Sequence, residues 1–385
     1  MKIINQKKML YIVCICLGIG ILIIFFVYAL RPEDLNAEIN PVNLSQSDIN
    51  NKENHFYKVY SDSFIADTDI PASYNEKVEV LFAKDTVFDE QTVISTFFKG
   101  KNPVRETYED GIGYRDGESY ASISSGSVYY NTTDFQYVAF PTENFSTKYE
   151  YNNLLPKYDE VYKQENLNFM TRTEAIDTVS AVLQKLNINV STDVEVYAID
   201  YKTMQEYQNV KKQEDPETAA MYNLKNEFSQ DDEFYILCFT VVENQIPLTH
   251  NSYSLWNGER FFMGSNVKVY LSKKGIFYFF ASGIYKIQDV AESSNELITA
   301  QDAIKKVFDE HNSIVTTDKV TVTSINFEYV CIPYNKNNKE IKLTPAWTLT
   351  LSCKSNEISK KTGDTETTIY TRVTTINAIT GEKIK

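Results

Sequence analysis

Apolar and polar positions divide this chain into one terminal apolar block and a long body of alternating and helical patterns. From Met9 to Leu30 runs an uncharged apolar stretch of 22 residues, MLYIVCICLGIGILIIFFVYAL. At 1.5 Å of rise per residue this makes roughly 33 Å of helix, enough to cross a hydrocarbon core about 30 Å thick. The pattern predicts a single transmembrane helix over residues 9–30, after a short tail of residues 1–8. A secretory signal peptide carries an apolar region of only about 7–15 residues, so this one is long. Val27-Tyr28-Ala29 is nevertheless an acceptable cleavage site, and removal after Ala29 stays open. Cys14 and Cys16 lack the small preceding residue of a lipobox and sit too early for one.

Residues 31–54 are rich in Asn, Ser, Asp and Glu, with Pro32 and Pro41 and no sustained periodicity, and read as a tether. Residues 55–165 read as a β-rich N-terminal domain. In it Val78–Ala83 alternates like a strand. Phe88–Gly100 reads as a short helix capped by Asp89, with Val93 and Phe97 on one face and Gly100 past its end. Asp110-Gly111 and Asp116-Gly117 are turns between β-rich pieces, followed by SVYYN and FQYVAF.

The remainder repeats itself. TRTEAIDTVSAVLQKLNINVSTDVEV begins at Thr171 and TAQDAIKKVFDEHNSIVTTDKVTV at Thr299. Each opens with a capping box, Thr171 with Glu174 and Thr299 with Asp302. Each then places Ala-Ile after the acid (Ala175-Ile176, Ala303-Ile304) and a valine one turn along (Val179, Val307). Strands follow in both: FYILCFTVV and a hairpin turning at Lys273-Lys274-Gly275, then KLTPAWTLTLSC and a hairpin turning at Thr380-Gly381. The first copy carries a polar helical insertion, about 202–232, broken by Pro216. The expected fold is α+β: antiparallel sheets each packed by a helix, with modules at 166–290 and 291–385.

Charge sharpens the picture. Residues 1–30 hold Lys2, Lys7 and Lys8 and no acid, leaving 35 basic and 52 acidic groups, a net −17, on residues 31–385. Lysines before the span, and Glu33, Asp34 and Glu38 after it, put the N-terminus in the cytoplasm and residues 31–385 outside the cell membrane. The acidity argues against a nucleic-acid partner. Glycine, at 13 of 385 residues, is too scarce for Gly-rich phosphate loops.

Candidate chemistry is thin. His55, His250 and His311 are far apart and in no metal-ligand spacing, and His311 reads as a solvated helix-end residue. Cys238, Cys331 and Cys353 read as buried hydrophobe-like thiols, with a Cys331–Cys353 bridge as the alternative. Asp67-Thr68-Asp69 and Glu109-Asp110-Gly111 lack calcium-loop spacing and read as solvated turns. Tyr278-Phe279-Phe280 and Phe261-Phe262 read as core, with a ligand pocket as the alternative. Trp256 is placed at a hairpin, and Trp347 beside Pro345 at a strand start. Gly18 and Gly20 offer small residues for close helix approach in the span, without the Gly-x-x-x-Gly spacing. No catalytic, cofactor-binding or metal-binding residue is assigned, and no cofactor.

A capped helix followed by strands, closing on Asn377-Ala378-Ile379-Thr380-Gly381-Glu382-Lys383-Ile384, resembles PepSY-like domains. With Pro345-Ala346-Trp347 upstream and the N-terminal anchor, the chain looks like the YycH/YycI proteins over residues 166–385. The resemblance implies a membrane-anchored, non-enzymatic regulatory protein of a two-component system, contacting a cell-wall-related histidine kinase in the membrane and outside it. Ser61–Gly100 looks more like the N-terminal part of an uncharacterised clostridial secreted family, a departure from that regulator pattern. The alternative function is a secreted or tethered module binding cell-wall or peptide material. A carboxylate hydrolase is a third, disfavoured reading. The sequence names neither the partner nor the oligomeric state.

Overall fold

The computed structural model describes residues 54–71, 77–142, 145, 157–162, 166–222, 224–251, 253–254, 261–262, 264–314, 316, 318–335, 340–358 and 365–384. The expected membrane segment at 9–30, residues 31–53 of the tether and Trp256 lie outside these residues. Among the described residues no helix is long and apolar enough to cross a membrane.

The chain opens with strands β1 (His55–Ser61), β2 (Phe64–Asp69) and β3 (Val78–Asp85), then helix α1 (Glu90–Phe97). Four short strands follow, β4 (Val104–Tyr108), β5 (Gly111–Arg115), β6 (Ser119–Ser124) and β7 (Ser127–Thr132), then helices α2 (Phe135–Thr142) and α3 (Tyr158–Val161). The first repeat supplies α4 (Arg172–Lys185), β8 (Val190–Ile199), α5 (Tyr201–Glu214), α6 (Pro216–Ala219) and β9 (Phe234–Glu243). After these come β10 (Ile246–Pro247), β11 (Tyr253–Ser254), β12 (Phe261–Phe262), β13 (Asn266–Ser272), β14 (Gly275–Ser282) and β15 (Tyr285–Ser294). The second repeat supplies α7 (Ala300–Asn312), β16 (Lys319–Asn335), β17 (Glu340–Ile358), β18 (Thr365–Asn377) and β19 (Lys383–Ile384).

Both repeats fold to one plan. Helix α4 is followed by the antiparallel run β8-β9-β13-β14, and α7 by β16-β17-β18-β19. Both capping boxes form. The Thr171 hydroxyl accepts from the Glu174 N–H at 3.2 Å while Glu174 accepts from the Thr171 N–H at 2.9 Å. Thr299 and Asp302 exchange the same pair of bonds at 3.1 and 3.2 Å. Backbone and hydroxyl donors of Thr171 hold the Glu174 carboxyl below its usual range, and those of Thr299 do the same for Asp302. The inward faces are Ala175, Val179 and Leu183 on α4, and Ala303, Ile304 and Val307 on α7. Thr299→Ala and Thr171→Ala should each lower stability by about 1 kcal/mol in denaturant unfolding, since each deletes one N-cap.

The 55–165 segment, expected to be a domain of its own, is divided between the two sheets. β1, β2 and β3 join the sheet of the second repeat, and β4 to β7 extend the sheet of the first through a β7–β14 pairing. β15 crosses the expected boundary at residue 290 and pairs with β3. Pairing in the second-repeat sheet is antiparallel except where β2 runs parallel to β16. Residues 52–385 form one compact unit. The physical reason is edge pairing: the four-stranded run β4–β7, the β1–β2 hairpin and the single strand β3 leave unsatisfied N–H and C=O rows that the repeat sheets complete.

FQYVAF, set among β-rich pieces by sequence, is helical. Phe135 stacks on Tyr278 at 4.4 Å, and the Thr142 hydroxyl donates back to the Val138 carbonyl at 2.8 Å. This helix covers the second face of the first-repeat sheet, together with α5. Burial on both faces explains why β9 reads as a continuous apolar run and not an alternating one. Phe279 faces one core and Phe277 the other.

Candidate functional site: a buried carboxyl where the two sheets meet

The two sheets touch through backbone. Leu248, just past β10, forms an isolated parallel bridge to Tyr329 of β16, and the Thr249 N–H donates to the Tyr329 carbonyl at 2.9 Å. The Tyr329 hydroxyl in turn donates to the Glu79 carbonyl of β3 at 2.9 Å. Beside this joint stands Glu328, 3% exposed and opposite Ala346 of β17. Burial pushes its carboxyl up to about 7, with the Thr348 and Thr249 hydroxyls pulling slightly the other way. Its Oε1 has no hydrogen-bond partner, and among the described residues no cation pairs with it. Asn251 donates to the Thr249 hydroxyl through its backbone N–H at 3.2 Å and its side chain at 3.3 Å. Gly264 is required next to this segment: a Cβ there would stand 1.8 Å from the His250 carbonyl oxygen. Sequence reasoning passed over Glu328. The signal was present, an acid embedded in the apolar run Phe327-Glu328-Tyr329-Val330-Cys331.

The second place with perturbed groups lies under the C-terminal end of α7. His311, expected to be solvated, is buried at 7% exposure. Its ring packs 5.5 Å from that of Phe64, and its Nε2 lies 3.4 Å from Ser63 Oγ. The correction has a simple cause: β1 and β2, from outside the repeat, close over that end of the helix. Burial and then Arg372 lower its pKa, against a smaller opposing effect of Asp318. The same two charges reach Cys353, whose thiol burial pushes up and keeps protonated. Because the imidazole is held neutral, the unfolded chain binds more protons than the fold below pH about 6.5. Stability contributed by this group is therefore lost as pH falls through that value. A His311→Gln variant should gain on the wild type as pH drops from 7.5 to 5, read by urea midpoints at each pH.

The remaining sequence candidates separate. Cys238, Cys331 and Cys353 are buried; Cys331 pairs with Leu343 and Cys353 with Val320, at opposite ends of the β16–β17 ladder, so no bridge joins these two. Asp67 and Asp69 are not a loop but alternate positions of β2, met by His55 at 3.1 and 2.9 Å across the strand pair. Glu109 and Asp110 form the β4–β5 turn. Among the described residues no three His, Cys, Asp or Glu side chains are arranged to hold a metal. An open groove beside β4 is lined by Lys101, Val104, Arg115 and Glu118, away from both buried groups. Trp347 stands inside β17, not at its start, and its Nε1 donates to the Ile298 carbonyl at 2.9 Å. The closing turn packs beneath it: Asn377 Oδ1 accepts from Ile379 and Thr380 N–H at 2.8 and 3.0 Å, and Gly381 takes φ +69° against Lys306 of α7.

These features define an α+β protein of two helix-led antiparallel runs that share strands from one N-terminal segment. No protein-family model matches the chain, and no curated protein matches it. Its fold is similar to that in the crystal structure of an uncharacterized protein from Eubacterium rectale ATCC 33656 at 1.45 Å resolution. The TM-score is 0.61 at 16% identity, covering 86% of this chain and 93% of that one. At that identity the likeness concerns the fold.

Proposed function

We propose that this chain is a non-enzymatic, membrane-anchored extracytoplasmic regulatory protein, held by residues 9–30 and acting through contacts with a membrane protein of the sensor histidine kinase class. The observation that carries the reading is the repetition, two capped helices each followed by an antiparallel run of the same order, which supports the PepSY-like resemblance of the closing Asn-Ala-Ile-Thr-Gly turn. The perturbed groups support it as well. Glu328, His311 and Cys353 are buried among β-strands and core side chains, where a structural or switching role fits better than turnover. A protein of this kind works by binding two states of its partner unequally.

The test exchanges residues 9–30 for an unrelated span of equal length in the native host, with kinase-dependent transcription as the readout. The proposal expects the output to shift although the outer portion is intact. An unchanged output removes the membrane-contact mechanism.

A further inference from the structure

We infer that the free edge of β18 is a self-association site, at which a second copy of this chain adds its own β18 antiparallel across a two-fold axis.

Strand β18 is paired along its whole length to β17, but on its other side β19 covers only Thr375 and Ile376. From 365 to 374 that side is open among the described residues. The direction of the backbone groups follows from the closing turn. The Asn377 N–H donates outward, to the Glu382 carbonyl at 2.8 Å, and the Ala378 N–H donates inward, to the Pro345 carbonyl at 3.0 Å. The β17–β18 register runs without a break, so alternation turns the N–H and C=O groups of positions 367, 369, 371 and 373 to the open side.

Proteins ordinarily guard such edges. β1 carries Lys58 and a register break after Val59, and β15 carries Lys286, Asp289 and Glu292 with two breaks. β8 has a break between Val190 and Val194, and β4 is only five residues long. β18 has no lysine, proline, glycine or bulge over its open stretch, and β-branched or aromatic residues stand at 367–371, 373 and 374. Ile369 and Tyr370 are 43% and 39% exposed. The two charges of the stretch, Glu366 and Arg372, are of opposite sign.

The placing of those charges selects the occupant. Antiparallel pairing about a two-fold axis at Ile369 sets position 366 of each copy opposite position 372 of the other, so acid and base meet twice in one ladder. The same register covers exposed Ile369 with its own counterpart and makes about six main-chain hydrogen bonds over 367–371. A pairing of this kind is isologous and closes at two copies. The inference stands apart from the regulatory proposal, and its test needs no kinase.

Sedimentation of the full-length chain in detergent micelles over a concentration series reads the site. The wild type should run as a concentration-dependent dimer. Thr371→Pro removes an outward N–H and keeps the ladder to β17, so it should run as a monomer with unchanged circular dichroism. Glu366→Arg and Arg372→Glu should each weaken dimerisation by about tenfold, since each sets like charges opposite one another twice. The double variant should return to the wild-type constant. A wild type that stays monomeric at high micromolar concentration overturns the assignment and leaves the edge to a strand of another protein. A dimer unchanged in T371P places the contact elsewhere, such as the membrane span, and overturns it too. Should T371P fail to fold, the reversals decide: no weakening in either single variant, or no recovery in the double, overturns the site.

Discussion

Replacing Trp347 by alanine should cost about 3–5 kcal/mol, the range found when a large buried aromatic is truncated. The residue is 4% exposed and packs 5.0 Å from the Phe327 ring, across from Ile376 on β18. Its Nε1–H also satisfies the Ile298 carbonyl just before the α7 capping box, so it ties the helix start to the middle of the sheet. Alanine loses the packing and leaves the half-buried Ile298 carbonyl without this donor. Trp347→Phe keeps most of the apolar contact and gives up the hydrogen bond, for a smaller loss of about 1 kcal/mol. Urea unfolding of the two variants separates these parts. An alanine variant within 1 kcal/mol of the wild type would mean that α7 is not seated through this side chain.

The second large effect concerns Glu328 and global stability. Its carboxyl is raised in the fold, so the sign is opposite to that of a salt-bridged acid. Below pH 4.5 both folded and unfolded chains hold the proton. Between 4.5 and about 7 the fold retains a proton that the unfolded chain has released, and stability falls as pH rises; above 7 the loss is complete. For this single group the loss amounts to roughly 3 kcal/mol. Glu328→Gln, which stays neutral, should therefore be no more stable than the wild type at pH 4 and more stable by about 1–3 kcal/mol at pH 8. Unfolding curves at the two pH values measure it, and a constant difference between variant and wild type would contradict the assignment.

What was legible in the sequence was local. Both capping boxes, the Asp89 cap, the hairpin turn at Lys273-Lys274-Gly275 and the turn at Thr380-Gly381 follow from residue type at fixed offsets, and all formed as read. The insertion also broke where Pro216 stands, at the first position of α6. What was not legible depended on long-range pairing. Nothing in HFYKVYS or VEVLFA tells which sheet will accept it, and the answer, the second-repeat sheet, buried His311 under β2 and divided a segment that looked like one domain. Glu328 is the instructive omission. Its neighbours in sequence advertised burial, but its importance arises from Thr249, 79 positions earlier, which only the joint between sheets brings to it.

The measurement that bears most directly on the central claim is photocrosslinking in the native membrane. The photoreactive residue is placed in turn within 9–30 and at exposed Val104, Tyr108 and Tyr57, and captured species are identified by mass spectrometry. The account predicts the same membrane-spanning sensor kinase from the span and from at least one outer position. Capture of cell-wall glycan or peptide material alone, with no membrane protein from any position, contradicts it.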